Sequence, residues 1–273
     1  TADSALNGGL TDSEKAETAR LANNSLSLKR ASLESSVSNH PDIVRNSVSG
    51  NIYYVSESGS DSNDGLSELK PLKTLYGVSG LSLNAGDAVL FERGGVYRTS
   101  KKYTDGSSFI LKSGVSYGAY GKGQKPVING SFENYAERKW RKYADNIWYI
   151  SISNISADPG VLRVTTTKNY SYTGCVKESI DALAREWDFC RDGTNLYMYC
   201  QYGEPTNLLN AIEIGFGFDM FKIDNASNIT IDNLTFTCGG RHAVGASNGA
   251  ALRCRRRLLW RKTIRPARTG REF

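Results

Sequence analysis

An all-β chain wound as an incomplete parallel β-helix is predicted by three observations. The strands are only three to five residues long, each is closed by Gly, Asn or Ser, and one pair of short strands is joined by a step that bends the chain onto a new face. An antiparallel β region is expected as an insertion at 131–210, and a helical segment in front, over 1–50.

Residues 1–50 are polar and rich in Ser, Ala, Asn and Leu. Ser13 and Glu17 open a stretch that reads as helix, and Leu21, Leu26, Leu28 and Leu33 give it a weak apolar stripe, the mark of a leader or linker. From Asn51 the character changes. Ile52-Tyr53-Tyr54-Val55 reads as a strand, halted by the loop Ser58-Gly59-Ser60-Asp61-Ser62-Asn63-Asp64-Gly65, in which Asp64-Gly65 suits a turn with positive φ. A short helix is expected within 72–83. Strands follow at Ala88–Phe91, Val96-Tyr97, Phe109–Leu111, Val115–Tyr117 and Val127-Ile128. The antiparallel region holds Trp140, Trp148 and a hairpin, 187–190 against 196–200, turning at Asp192-Gly193. The short-strand rhythm resumes at Ile212-Glu213-Ile214, so parallel rungs are expected from Ile212 to Val244. In 228–236, Ile229/Ile231 and Leu234/Phe236 alternate around a step at Asp232-Asn233, and Asn225, Asn228 and Asn233 sit where left-handed backbone is needed.

Charge narrows the partners. The net charge is +6, yet residues 253–273 alone carry nine basic groups against one acid, Glu272, leaving 25 basic and 27 acidic groups elsewhere. The body is slightly acidic, which argues against a nucleic-acid partner. No apolar run approaches the roughly 20 residues that span a bilayer. With only His40 and His242, a multi-histidine metal centre is excluded, and the five cysteines contain no C-x-x-C pair. Cys190 and Cys200 flank the hairpin, either bridged in an exported protein or buried as free thiols.

The run Tyr53-Tyr54-Val55-Ser56-x-Ser58-Gly59-Ser60-Asp61-Ser62-Asn63-Asp64-Gly65, followed by Lys70-Pro71-Leu72-Lys73-Thr74-Leu75, resembles the opening of right-handed parallel β-helix proteins of the pectate-lyase-like superfamily. Gly86-Asp87-x-Val89-Leu90-Phe91, Gly118-Ala119-Tyr120-Gly121-x-Gly123-x-Lys125-Pro126-Val127-Ile128 and Asn228–Leu234 with Gly239-Gly240-x-His242 extend the resemblance to about Asn248. It implies the fold strongly and the activity weakly, since such proteins include polysaccharide lyases, glycoside hydrolases and non-catalytic surface proteins. It implies an extracellular or cell-surface location and a polysaccharide partner.

After Asn248 another regular strand is expected. The sequence instead reads Ala251-Leu252-Arg253-Cys254-Arg255-Arg256-Arg257, without a period of two. A shifted reading frame is the preferred account: the codons GCA TTA CGG TGT give Ala-Leu-Arg-Cys, and two bases later read Ile-Thr-Val. The chain is accordingly expected to be an N-terminal fragment, coils over 51–252 and an aberrant Arg-rich tail over 253–273, inactive as it stands.

Candidate chemistry falls into two groups. Asp61, Asn63 and Asp64 offer oxygen ligands for calcium, against a reading as turn-forming side chains. Among Glu213, Asp219, Asp224 and Asp232, the last two sit beside turn asparagines, whereas Asp219, amid Gly215-Phe216-Gly217-Phe218, is the candidate catalytic carboxylate of a glycosidase. Arg241 and His242, after a double glycine, supply the cation and base that a lyase requires. Tyr117, Tyr120, Trp140 and Trp148 are assigned to core packing before sugar stacking. The expected function is a carbohydrate-active protein, hydrolase or lyase, with a glycan-binding surface β-helix as the alternative.

Overall fold

The computed structural model describes residues 17, 20–21, 24–29, 48–100 and 108–248, and the backbone of 252–254 and 259–260. Most of the leader at 1–50 and of the Arg-rich tail at 253–273 lies outside the described residues. Thr1–Pro41 forms one unit and Asp42–Phe273 another. In the first, residues 24–29 are helical and Arg20 pairs with Glu17 at 2.7 Å on an exposed surface.

The second unit begins with β1 (Ile52–Val55), α1 (Leu75–Ser79), β2 (Ala88–Glu92), β3 (Val96–Arg98), β4 (Phe109–Ile110), β5 (Ser116–Tyr120) and β6 (Val127–Asn129). Thr74 caps α1, its hydroxyl accepting from the Gly77 amide, and Leu75 and Val78 pack that single turn into the core. Next come β7 (Arg141–Ala144), β8 (Ile147–Ser151), β9 (Pro159–Thr166), β10 (Ser171–Thr173), β11 (Phe189–Asp192), β12 (Asn195–Tyr199), α2 (Pro205–Leu208) and β13 (Leu209–Phe216). The chain continues through β14 (Asp219–Asp224), β15 (Ile229–Ile231), β16 (Thr235–Thr237), β17 (His242–Ser247), β18 (Leu252–Cys254) and β19 (Leu259–Trp260).

Strands dominate, and they pair in two ways. Three sheets are parallel, in the orders β1-β2-β5-β15-β18, β3-β6-β16-β19 and β4-β14-β17. Successive strands visit these sheets in rotation. β4, β5 and β6 enter the three in turn, β14, β15 and β16 return in the same order, and β17, β18 and β19 repeat it. Asn225, Asn228 and Asn233 adopt φ of 46°, 56° and 55° at the corners, the left-handed conformation that asparagine tolerates best among non-glycine residues. The inward residues form one core. In it Phe109 packs on Phe221 (5.2 Å) and Phe221 edge-on to Phe236 (5.1 Å), with Val55, Phe91, Tyr117, Ile128 and Ile231 buried around them.

The other two sheets, β10-β9-β13 and β11-β12-β8-β7, are antiparallel and enclose a separate core of Trp140, Ile150, Leu162, Val164, Leu196, Met198, Ile212 and Ile214. This corrects one expectation. Parallel rungs do not begin at Ile212: β13 pairs antiparallel with β9, Ile214 opposite Leu162, and the parallel sheets resume only at Asp219. Ile212 and Ile214 are buried equally well beside a parallel or an antiparallel neighbour, so their spacing cannot report which way the partner runs. In the described part of the tail, β18 and β19 pair in parallel with β15 and β16.

The hairpin of β11 and β12 turns at Gly193 as expected, but it places Cys190 opposite Tyr197, not opposite Cys200. Both cysteines are buried free thiols. Burial pushes Cys190 up to about 11 and Cys200 up to about 12, from an ordinary 9.0, and Tyr120 up to about 12 from 10.0; Tyr97, Tyr117 and Tyr135 rise for the same reason. The folded state therefore holds protons that the unfolded chain releases above pH 9–10. The stability these groups contribute should be fully present below that range and lost progressively above it. Thermal melts between pH 8 and 11 test this, and a flat profile would contradict the burial of these groups. Tyr117, Tyr120 and Trp140 are indeed core residues. No helix among the described residues is long and apolar enough to cross a membrane.

Candidate functional site

The seam between the antiparallel region and the returning parallel strands is built on close backbone contact. A Cβ at Gly215 would collide with the Cys238 carbonyl, and one at Gly240 with the carbonyls of Gly215 and Phe216. Only glycine allows the segment 238–240 to lie flat against 215–216. Immediately beyond each half of this contact stand the three residues expected to be catalytic. On one side the chain turns tightly, the Phe218 amide donating to the Phe216 carbonyl (2.6 Å) and Gly217 to Asp158 (2.9 Å), and delivers Asp219 as the first residue of β14. On the other, Arg241 leads into His242, the first residue of β17, and parallel pairing sets His242 directly beside Asp219.

The structure brings all three together. His242 Nδ1 lies 2.8 Å from Asp219 Oδ1, and Arg241 Nε 3.7 Å from the same oxygen. The Asp219 side chain is 13% exposed, whereas those of His242 and Arg241 are 54% and 62% exposed. A mostly sheltered carboxylate is thus reached from solvent through two basic groups, an arrangement able to hold and pass a proton. Gly245 completes it, since a Cβ there would strike the Asp219 carboxylate. Gly245→Ala should move the Asp219 carboxylate off His242 at a modest loss of melting temperature, because the added methyl meets the whole short side chain, its Cβ included. Comparing melting temperature with glycan binding or turnover checks this; parallel loss of both would indicate a packing defect instead.

Asp219 also borders a small hollow lined by Thr99, Gly130, Phe132, Phe216, Phe218, Met220 and Gly240. Phe132 stacks on Phe216 (5.4 Å, 13°) and tilts toward Phe218 (6.3 Å). Phe216 is buried behind, while Phe132 and Phe218 remain partly open. These aromatic residues were not singled out from the sequence. The flanking of Asp219 by Phe216 and Phe218 was the visible signal, whereas Phe132 arrives from the far end of the insertion.

Glu213, weighed as a catalytic candidate, is used differently. It is buried, accepts from Asn129 Nδ2 (2.5 Å), and pairs with Arg98 (3.2 Å) and Arg163 (3.5 Å). Arg98 and Asn129 are register partners on β3 and β6, and Arg98 also donates to the Ser131 carbonyl (3.4 Å). Glu213 therefore ties the antiparallel region to the parallel strands, its partners Arg98 and Asn129 directly preceding Thr99 and Gly130 of the hollow.

The proposed calcium ligands are occupied within the fold. Asp61 Oδ1 accepts from the amides of Lys73 and Thr74 (2.9 Å each) and Oδ2 from the Thr74 hydroxyl (2.6 Å), fixing the start of α1. Asn63 donates to the Pro71 carbonyl (2.8 Å), and Asp64 accepts from the Leu66 amide (3.0 Å) in its own turn. Among the described residues no cluster of three or more His, Cys, Asp or Glu is placed to hold a metal ion. Asp224 accepts from Ser247 (3.1 Å) and Asn248 (2.7 Å) across neighbouring strands, and these bonds hold its carboxyl below the usual range. It is the last residue of β14, just ahead of the corner at Asn225.

No family model matches the chain. Over 219 residues it is 26% identical to a lacto-N-biosidase of Bifidobacterium longum subsp. longum, a match covering 77% of this chain and 13% of that protein. The relatives it resembles are carbohydrate-active. Among solved structures, XylC with xylose aligns over 70% of this chain and 36% of its own, at 16% identity and a TM-score of 0.49. The lacto-N-biosidase of Eubacterium ramulus, described as GH136, aligns over 75% and 30%, at 22% identity and a TM-score of 0.32. The chain spans well under two thirds of the length of each.

Proposed function

We propose that the chain belongs to a secreted, carbohydrate-active protein built on a right-handed parallel β-helix, and that it engages a glycan at Asp219. The observation that carries this reading is the meeting of Asp219, His242 and Arg241 at the edge of an aromatic-lined hollow. The rotation of successive strands through three parallel sheets supports the β-helix, and the similarity to a lacto-N-biosidase supports the glycan. Asp219 is the group that exchanges a proton with the glycosidic oxygen; His242 and Arg241 orient its carboxylate and stabilise its charge.

A second reading, binding without cleavage, draws on one feature: among the described residues Asp219 is the only carboxylate lining the hollow, whereas glycoside hydrolysis ordinarily uses a pair. Incubation with a broad panel of plant, algal and host glycans separates the readings. New reducing ends support hydrolysis, absorbance of an unsaturated uronate supports elimination, and retention without cleavage supports binding. Failure to retain or cleave any glycan would remove the carbohydrate reading altogether.

A further inference from the structure

We infer that the outward face of the sheet formed by β7, β8 and β12 is a second glycan site, separate from Asp219. Its ligand is an acidic polysaccharide, with uronate rings on Tyr143 and their carboxylates on Arg141. The class of partner rests on the carbohydrate reading above; the place does not. Strand alternation makes the face. Ile150, Leu196 and Met198 point into the core of the antiparallel region, so Tyr149 and Tyr197, one position away on β8 and β12, point outward. Arg141 is the register partner of Tyr149 and shares that side. Tyr143 occupies the irregularity between Lys142 and Ala144. Its ring meets Tyr197 at 5.1 Å and 79°, while Tyr197 stacks on Tyr149 at 5.5 Å and 27°. Ile180 and Leu183 pack with Cys190 and Tyr197 at one end of the face. The β7 end is open: all four residues of β7 are exposed, Tyr143 by 55%.

Charge selects the kind of glycan. Four of the five residues 138–142 are basic. Arg138 pairs with Glu133 (2.6 Å) and Lys142 with Asp145 (3.1 Å), whereas among the described residues no carboxylate pairs with Lys139 or Arg141. Two cations are thus left over beside exposed tyrosine. A guanidinium meets a carboxylate in two parallel hydrogen bonds. A tyrosine ring already held by its neighbours receives the C–H face of a pyranose with little further loss of freedom. A uronate ring offers both its face and its carboxylate. Two unpaired cations are too few for the run of phosphate contacts by which nucleic acids bind, so the acidic polysaccharide is the better match.

The test measures the affinity of the 273-residue chain for oligogalacturonate, for the same oligomer as its neutral methyl ester, and for single-stranded DNA of matched charge. Oligogalacturonate is expected to bind, more weakly as salt rises, with the ester and the DNA at least about tenfold weaker. Arg141→Gln and Tyr143→Ala should each weaken oligogalacturonate by about tenfold, and Tyr143→Phe should retain it. Both side chains are exposed, so the variants should melt with the parent. Equal binding of the ester or the DNA, or parental affinity in a folded Arg141→Gln, overturns the site. A chain that retains neutral glycans but not oligogalacturonate sinks this site alone; one that retains no glycan sinks the carbohydrate reading with it.

Discussion

If Asp219 is the proposed reacting group of a glycan-cleaving protein, replacing it with asparagine is expected to lower turnover by about 10²–10⁴-fold, the usual contribution of a positioned acid or base. Asparagine keeps the shape of the side chain and one oxygen for the 2.8 Å contact with His242, but it has no titrating proton. The fold should therefore survive, with a melting temperature close to that of the parent, and glycan should still be retained. Reducing-end release at saturating substrate, beside a binding measurement, reads the two effects separately. Turnover equal to the parent would show that Asp219 is not the reacting group, whatever its neighbours.

Removing the carboxylate of Glu213 is expected to be the most damaging single change to the fold. Glu213→Ala leaves Arg98 and Arg163, 29% and 31% exposed, facing each other without their shared counter-charge, and strips Asn129 of its acceptor. Breaking a buried pair from one side costs about 3 kcal/mol or more, because the remaining charge is stranded. For a domain of this size that corresponds to a fall in melting temperature of roughly 6–12 °C. Glu213→Gln, which keeps an acceptor for Asn129, should fall by less. If Glu213→Ala melts with the parent, the cluster is ornamental and the seam is held by the glycine contacts alone.

How much of this was legible beforehand depends on whether the cause was local. The short strands, the left-handed asparagines at 225, 228 and 233, the capped turn after Thr74 and the hairpin at Gly193 all follow from residues within a few positions of one another. The direction of β13 was not legible, because Ile212 and Ile214 bury alike beside a parallel or an antiparallel neighbour. Asp219, Arg241 and His242 were recognisable singly, from the glycines and aromatics around them. Their convergence depends on the register between β14 and β17, which no sequence window contains. The Glu213 cluster was least accessible. Its partners lie at 98, 129 and 163, and a lone glutamate beside isoleucines carries no sign of three distant donors.

The detour between Asn129 and Asp219 has a consequence for how such a protein diversifies. The parallel strands before and after it keep their mutual pairing, β16 against β6 and β14 against β4, as though nothing had been spliced between them. The detour meanwhile carries its own core. Asp219 and His242 are borne by the parallel strands β14 and β17, while Phe132 and Phe216 stand where the detour leaves and rejoins those sheets. An exchange of the detour would reach the surroundings of Asp219 only through the seam, at the Gly215–Cys238 and Gly240–Phe216 contacts and the Glu213 cluster, while the pairing of Asp219 with His242 belongs to β14 and β17.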